Sequence, residues 1–253
     1  MNGRAVWLTA LQRDATAAHV SASERSSPAD AAVEATREAS RFASRLTHDL
    51  RDGSLAERIA CAPGCSWCCR TQVAVTVPEL LEIVRFLDDD ARRAERERVH
   101  ERARDAALRV SELADLGRAA RWAAAIPCPL LDGGGRCTVH PVRPIRCRGW
   151  NSFDATACER IALGDPVGVE IEAVEWEVHR AVAHGLAEGL ERVGLDGSRL
   201  ELVRALAAAL EPGALASLES RFSAGEPVLA SARIADAEEP SDARFDPTPK
   251  DRA

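Results

Sequence analysis

The sequence contains no tyrosine, one methionine and a single lysine, Lys250, and aromatic residues make up 4% of its 253 positions. Few large rings are available to fill a core. The 46% apolar content is rich in alanine, which favours helix and buries little area per residue, so closely packed helices are expected. Basic residues are outnumbered, 33 Lys and Arg against 40 Asp and Glu, for a net charge of −7. Phosphate contacts need a basic face, so the acidic balance argues against a nucleic-acid partner, although arginine could still form a local patch. No run approaches the roughly 18 apolar residues of a membrane helix. The opening "MNGRAVWLTALQRDATAAHV" has no apolar signal-peptide core. A cytoplasmic protein without membrane contact is expected, in a compartment that keeps thiols reduced.

What the sequence has in excess is clustered cysteine. Cys61, Cys65, Cys68 and Cys69 fall within "CAPGCSWCC", and Cys128, Cys137, Cys147 and Cys158 follow in "CPLLDGGGRCTVHPVRPIRCRGWNSFDATAC". One buried cysteine is ordinary; four in nine residues need a purpose. Zinc and iron both favour thiolates, usually four around each ion. Gly64 relaxes the turn between the first two cysteines. Cys68 and Cys69 are adjacent, so their side chains diverge and do not easily chelate one ion together. The eight thiols therefore suit two mononuclear ions, one polynuclear or iron–sulfur centre, or one centre with spare thiols. The 58 residues between Cys69 and Cys128 are enough for two helices that go out and return, closing a helical hairpin at its base.

Around these segments the pattern predicts a mainly α fold with a loop-rich cysteine cluster and one short β-hairpin at Asp132–Gly135. Residues 1–26 read as a flexible N-terminal segment, 27–225 as a helical domain with the cysteine core at 61–158, and 226–253 as a flexible tail. Ser27-Pro28 should start a helix running to Leu50, with Phe42, Leu46 and Leu50 on one face. Gln72 to Val75 is β-prone. Thr76 and Glu79 form a capping box for a helix with Leu80, Val84 and Leu87 on its apolar face. A charged helix spans about 91–116. The stripe Ile171, Val174, Val178, Val182, Leu186, Leu190 and Val193 marks another. Ser198 and Glu201 are expected to cap a further helix, and Pro212-Gly213 separates the last.

The quartet "CAPGCSWCC", the Cys-Pro at 128, the Gly-x-Cys at 137 and "RPIRCRGW" resemble the YkgJ-type cysteine-cluster family named for a CxxxCxxCC motif. That resemblance implies a zinc- or iron-chelating domain over about 61–158. It places Cys61, Cys65, Cys68, Cys69, Cys128, Cys137 and Cys147 at metal-ligand positions, with Cys158 beyond the tightest part of the motif. The flagellin lysine N-methylases are similar in the cysteine region alone. The expected function is chelation of zinc or iron; an iron–sulfur oxidoreductase or group-transfer (protein N-methylase-like) enzyme is the alternative, with no substrate or catalytic residue indicated.

Other residues carry weaker signals. His140 is a ligand, a donor to a ligand, or a loop histidine beside Pro141. Arg143, Arg146 and Arg148 either offset thiolate charge, receive an anion, or pair with local carboxylates. Trp67 and Trp150 are expected to shield the site. His179 and His184, five apart on a helix, read as structural. Glu172, Glu175 and Glu177 lack the Glu-x-x-His of a di-iron helix. Gly133–Gly135 lacks the Lys-Ser/Thr of a phosphate loop.

Overall fold

The computed structural model describes residues 3–23, 26–113, 121, 124–165 and 167–234. Helix α1 (Gly3–Ala22) is followed by α2 (Pro28–Leu50), the short α3 (Gly53–Ala56), strand β1 (Ala74–Val75), α4 (Val77–Leu87) and α5 (Arg93–Ser111). Then come α6 (Ile145–Gly149), α7 (Ala155–Ala162), α8 (Ala173–Arg192), β2 (Leu200–Glu201), α9 (Leu202–Ala209) and α10 (Ala214–Ser223). The expected mainly α architecture is what forms. Among the described residues no helix is long and apolar enough to cross a membrane.

Helix α4 is the centre of the core. Leu80, Leu81, Ile83, Val84 and Leu87 are all fully buried, a face that includes and widens the expected stripe, while Glu82, Arg85 and Phe86 on the opposite side are only partly buried. Its entry is fixed by Glu79. That carboxylate accepts hydrogen bonds from the Thr76 backbone N–H at 2.7 Å and the Thr76 hydroxyl at 2.9 Å. Immediately before it, β1 pairs antiparallel with β2, Val75 opposite Leu200.

Ser27 begins α2 as expected, its hydroxyl accepting the Asp30 N–H at 3.1 Å. Glu201 alone caps α9, accepting the Arg204 N–H at 2.9 Å, because Ser198 lies in the extended approach to β2. The charged helix ends at Ser111; its expected stretch at 114–116 lies outside the described residues. In the segment expected to be a tail, Arg233 bridges Leu200 and Val228 is buried. Residues 235–253 lie outside the described residues.

The N-terminal segment departs most from expectation. Residues 3–22 form α1, whose buried face is Ala5, Leu8, Thr9, Gln12, Thr16 and Ala17. Half of that face is polar, which hides its helical period from a hydrophobicity reading. It docks on α8 at Gly185 and Gly189, where backbones approach closely. A Cβ at Gly189 would lie 2.6 Å from Thr16 Cβ and 2.7 Å from the Arg13 carbonyl oxygen. The Thr9 hydroxyl reaches across to the Ala181 carbonyl at 3.3 Å. Replacing Gly189 by valine should therefore cost about 1–3 kcal/mol by overpacking. In urea denaturation the midpoint should fall, whereas Gly53→Ala, in open space, should leave it nearly unchanged.

Candidate metal centre

Three backbone contacts bring the two cysteine segments together. The Cys128 N–H donates to the Cys69 carbonyl at 2.8 Å, and the Ala60 N–H donates to the Ser152 carbonyl at 2.8 Å. The third is a meeting of turns. Gly64 and Gly135 both have positive φ, +95° and +73°, and a Cβ on Gly135 would lie 2.9 Å from the Gly64 carbonyl oxygen. Only glycine suits this pair, since both the left-handed conformation and the close approach exclude a side chain. The expected hairpin presents that second turn: Leu131 bridges Cys137, and Asp132 N–H donates to the Arg136 carbonyl at 2.8 Å.

The central helix sets the remaining arm. The second oxygen of Glu79 accepts the Ile145 N–H at 2.9 Å, and Ile145 is the first residue of α6, which carries Cys147. Burial raises the Glu79 pKa against these stabilising donors. At the other end of α6, Gly149 lets the helix close on α8, where a Cβ would lie 2.8 Å from His179 Cβ.

All eight cysteines are free thiols, and they fall into two environments. Cys68 and Cys69 lie in one 3-10 turn, Trp67–Arg70. Successive side chains on such a turn diverge by about 120°. Cys68 faces a cavity of about 20 Å³, lined also by Cys61, Cys65, Cys158 and the rings of Trp67 and Trp150. That volume is about one water-sized sphere. Ser152 joins two of its thiols, donating its backbone N–H to Cys61 and hydrogen-bonding Cys158 with its hydroxyl. Cys69 lies within electrostatic reach of Cys128, Cys137 and Cys147, and Cys147 also reaches Cys68. Those three pack on the main core, while Cys158 packs on a separate small cluster of Ile161, Val169, Ile171 and Trp176. Trp150 packs edge-to-face on Trp176 at 4.7 Å.

The thiols are chemically unequal. Burial pushes Cys61, Cys128, Cys137, Cys147 and Cys158 up, aided by neighbouring thiols. Cys68 is raised by donating its S–H to Cys69. Cys69 is lowered by accepting that bond and by the guanidinium groups of Arg143 and Arg70. The donor chemistry fits a thiophilic ion. Among the described residues, no three His, Cys, Asp or Glu side chains already converge on one point at ligand distance. Metal binding would thus require the cysteine side chains to draw inward within each set. His140 is exposed in the turn His140–Val142, and Arg143 lowers its pKa. Arg146 is buried with its guanidinium 5.8 Å from the Trp176 ring centroid. His179, read as structural, lines a polar cavity with Arg143 and Arg148. Its one sequence signal was proximity to Glu175.

Because Glu79 couples α4 to α6, Glu79→Ala leaves the buried Thr76 and Ile145 N–H groups unpaired. The expected loss is about 1–3 kcal/mol or more. Alkylation mapped by mass spectrometry should show Cys147 reacting faster in the variant, with Cys61 unchanged.

No curated protein and no solved structure matches the chain. A family model does. That family's name, CxxCxxCC, writes two residues between its first cysteines, whereas Ala62, Pro63 and Gly64 make three here. The matched segment holds all eight cysteines and ends beyond Cys158, covering about two-fifths of the chain. Residues 60–163 match the CxxCxxCC family, described as a "putative zinc- or iron-chelating domain", so the resemblance in the cysteine motif extends over that whole segment.

Proposed function

We propose that this protein chelates zinc or iron through its eight cysteines, arranged as two centres of four. Cys69, Cys128, Cys137 and Cys147 form the inner set; Cys61, Cys65, Cys68 and Cys158 form the outer set. The observation that carries this reading is that Cys128, Cys137 and Cys147 pack on the main core while Cys158 packs on a separate cluster, beside a cavity that Cys61, Cys65 and Cys68 also line. Four thiolates per centre is the usual complement for structural zinc and for iron–sulfur iron. A reducing, cytoplasmic setting would keep these thiols available as ligands. Arg143, next to the inner set, would offset part of the negative charge that four thiolates bring.

The raised thiol pKa values give the binding a pH dependence. Thiols held protonated by burial must lose their protons to ligate, so metal uptake releases protons and weakens as pH falls. In weakly buffered solution at pH 7.5, adding Zn²⁺ to the metal-free protein should acidify the medium, and loading should drop on moving to pH 6.

Elemental analysis after anaerobic purification tests the assignment. Cys68→Ser and Cys69→Ser should each lower metal content by about half, and the double variant should remove nearly all of it. A colourless protein containing zinc and a brown one with broad visible absorption identify the two metals. If no zinc or iron co-purifies, and none binds on reconstitution while all eight thiols titrate freely, the reading is wrong. Loss of all metal in either single variant would instead indicate one shared polynuclear centre.

A further inference from the structure

A second polar cavity, of about 260 Å³, lies between α2, α6 and α8 and is lined by no cysteine. Its size is a little below the roughly 300 Å³ at which pockets for drug-sized ligands begin, so it suits a small ligand. Arg143 and Arg148 project cations into it, and among the described residues neither forms an ion pair with a carboxylate. Arg148 spends its donors on the Arg143 and Pro141 carbonyls, at 3.2 and 2.7 Å. The one carboxylate in the lining, Glu175, is already matched by Arg51 at 3.3 Å and by the Asn151 amide at 3.3 Å. The cavity is therefore net cationic.

Three residues lining this cavity each hold a buried polar atom with no hydrogen-bond partner: Thr47 Oγ1, Arg143 Nε and His179 Nε2. Thr47 is 4% exposed and His179 2%. Buried orphans of this kind are uncommon and costly. His179 Nδ1 lies 2.9 Å from the Glu175 carbonyl oxygen. A carbonyl cannot donate, so the proton sits on Nδ1 and Nε2 presents a bare lone pair. Burial pulls the His179 pKa down to about 4, which keeps the ring neutral at physiological pH.

We propose that this cavity binds a small oxyanion that retains a proton, of which hydrogen phosphate is the simplest. Its O–H donates to His179 Nε2, and its remaining oxygens accept from Arg143 Nε and the Thr47 hydroxyl. Each orphan then has a partner of the right kind. A fully deprotonated oxyanion of the same shape, such as sulfate, meets the His179 lone pair with another lone pair and is disfavoured. The assignment does not depend on the metal reading, because the lining residues and the thiols are different groups.

Calorimetric titration of the purified full-length protein at pH 7.5 tests it, with inorganic phosphate and sulfate as probes. Phosphate should bind at least about tenfold tighter than sulfate, the worth of one hydrogen bond to an ion. Thr47→Val, which keeps the shape and removes the hydroxyl, should weaken phosphate about five- to tenfold. His179→Gln, which adds a donor, should erase the preference over sulfate. Comparable far-ultraviolet circular dichroism in both variants separates loss of binding from loss of fold. No saturable phosphate binding by the wild-type protein up to about 10 mM, equal affinity for sulfate, or phosphate binding unaffected by Thr47→Val would each overturn the proposal. The last outcome also covers phosphate held at a metal centre, since Thr47 lies outside both cysteine sets.

Discussion

The hydrogen bond from the Cys128 N–H to the Cys69 carbonyl closes an excursion of 58 residues. Closing a flexible loop of that length costs on the order of 4 kcal/mol in chain entropy. One such bond contributes only about 1 kcal/mol net. The closure therefore rests on what the excursion contains. Five fully buried aliphatic side chains on α4 contribute roughly 1.5–3 kcal/mol each, ample to offset it. Glu79 then transmits the position of that helix to Ile145, and through α6 to Cys147. The cysteine core is assembled by the hydrophobic core beneath it, through a buried carboxylate that serves both.

In the proposed arrangement Cys68 and Cys69, adjacent on the 3-10 turn at Trp67–Arg70, belong to different sets. An α-helical pair at the same positions would diverge by about 100°, not very differently. What distinguishes this site is the apolar support of the other cysteines. The main core supports Cys128, Cys137 and Cys147 on one side, while the Trp150–Trp176 cluster supports Cys158 on the other. Cys68 and Cys69 also influence each other: the Cys68 pKa is raised and the Cys69 pKa lowered by their proximity, so the two proposed sets are not independent. Crowded thiols in partly buried surroundings resist becoming anions, because each thiolate would be desolvated beside others. A bound cation reverses that balance.

The sequence was most legible where local chemistry is strong. Ser27-Pro28, the Thr76/Glu79 box, the Asp132–Gly135 turn and the long apolar stripe of α8 all fold as their residues dictate. It was least legible where tertiary contact overrides composition. The Thr9, Gln12 and Thr16 face of α1 looks solvent-compatible until Gly185 and Gly189 open a groove for it. The same holds for His179, whose i−4 bond to Glu175 is ordinary for a helix. Its meaning depends on Arg143 arriving from a loop 36 positions earlier. The proximity of the two cysteine segments followed from counting the residues between them. The proposed division into two sets did not, because it rests on which apolar cluster Cys128, Cys137, Cys147 and Cys158 pack against.

Arg143 joins the two parts of the molecule that carry chemistry. Its field reaches Cys69, Cys137 and Cys147, and its Nε is unpaired at the wall of the cationic cavity. A guanidinium cannot be deprotonated at any physiological pH, so its charge is constant and its field reaches both sides at once. An anion in the cavity would add a negative potential of its own, which disfavours thiolates in the inner set. Thiolates would weaken the anion by the same factor, since coupling between two binding sites is reciprocal. The proposed metal centre and the proposed anion site would thus be coupled through charges already in place, without a moving part between them.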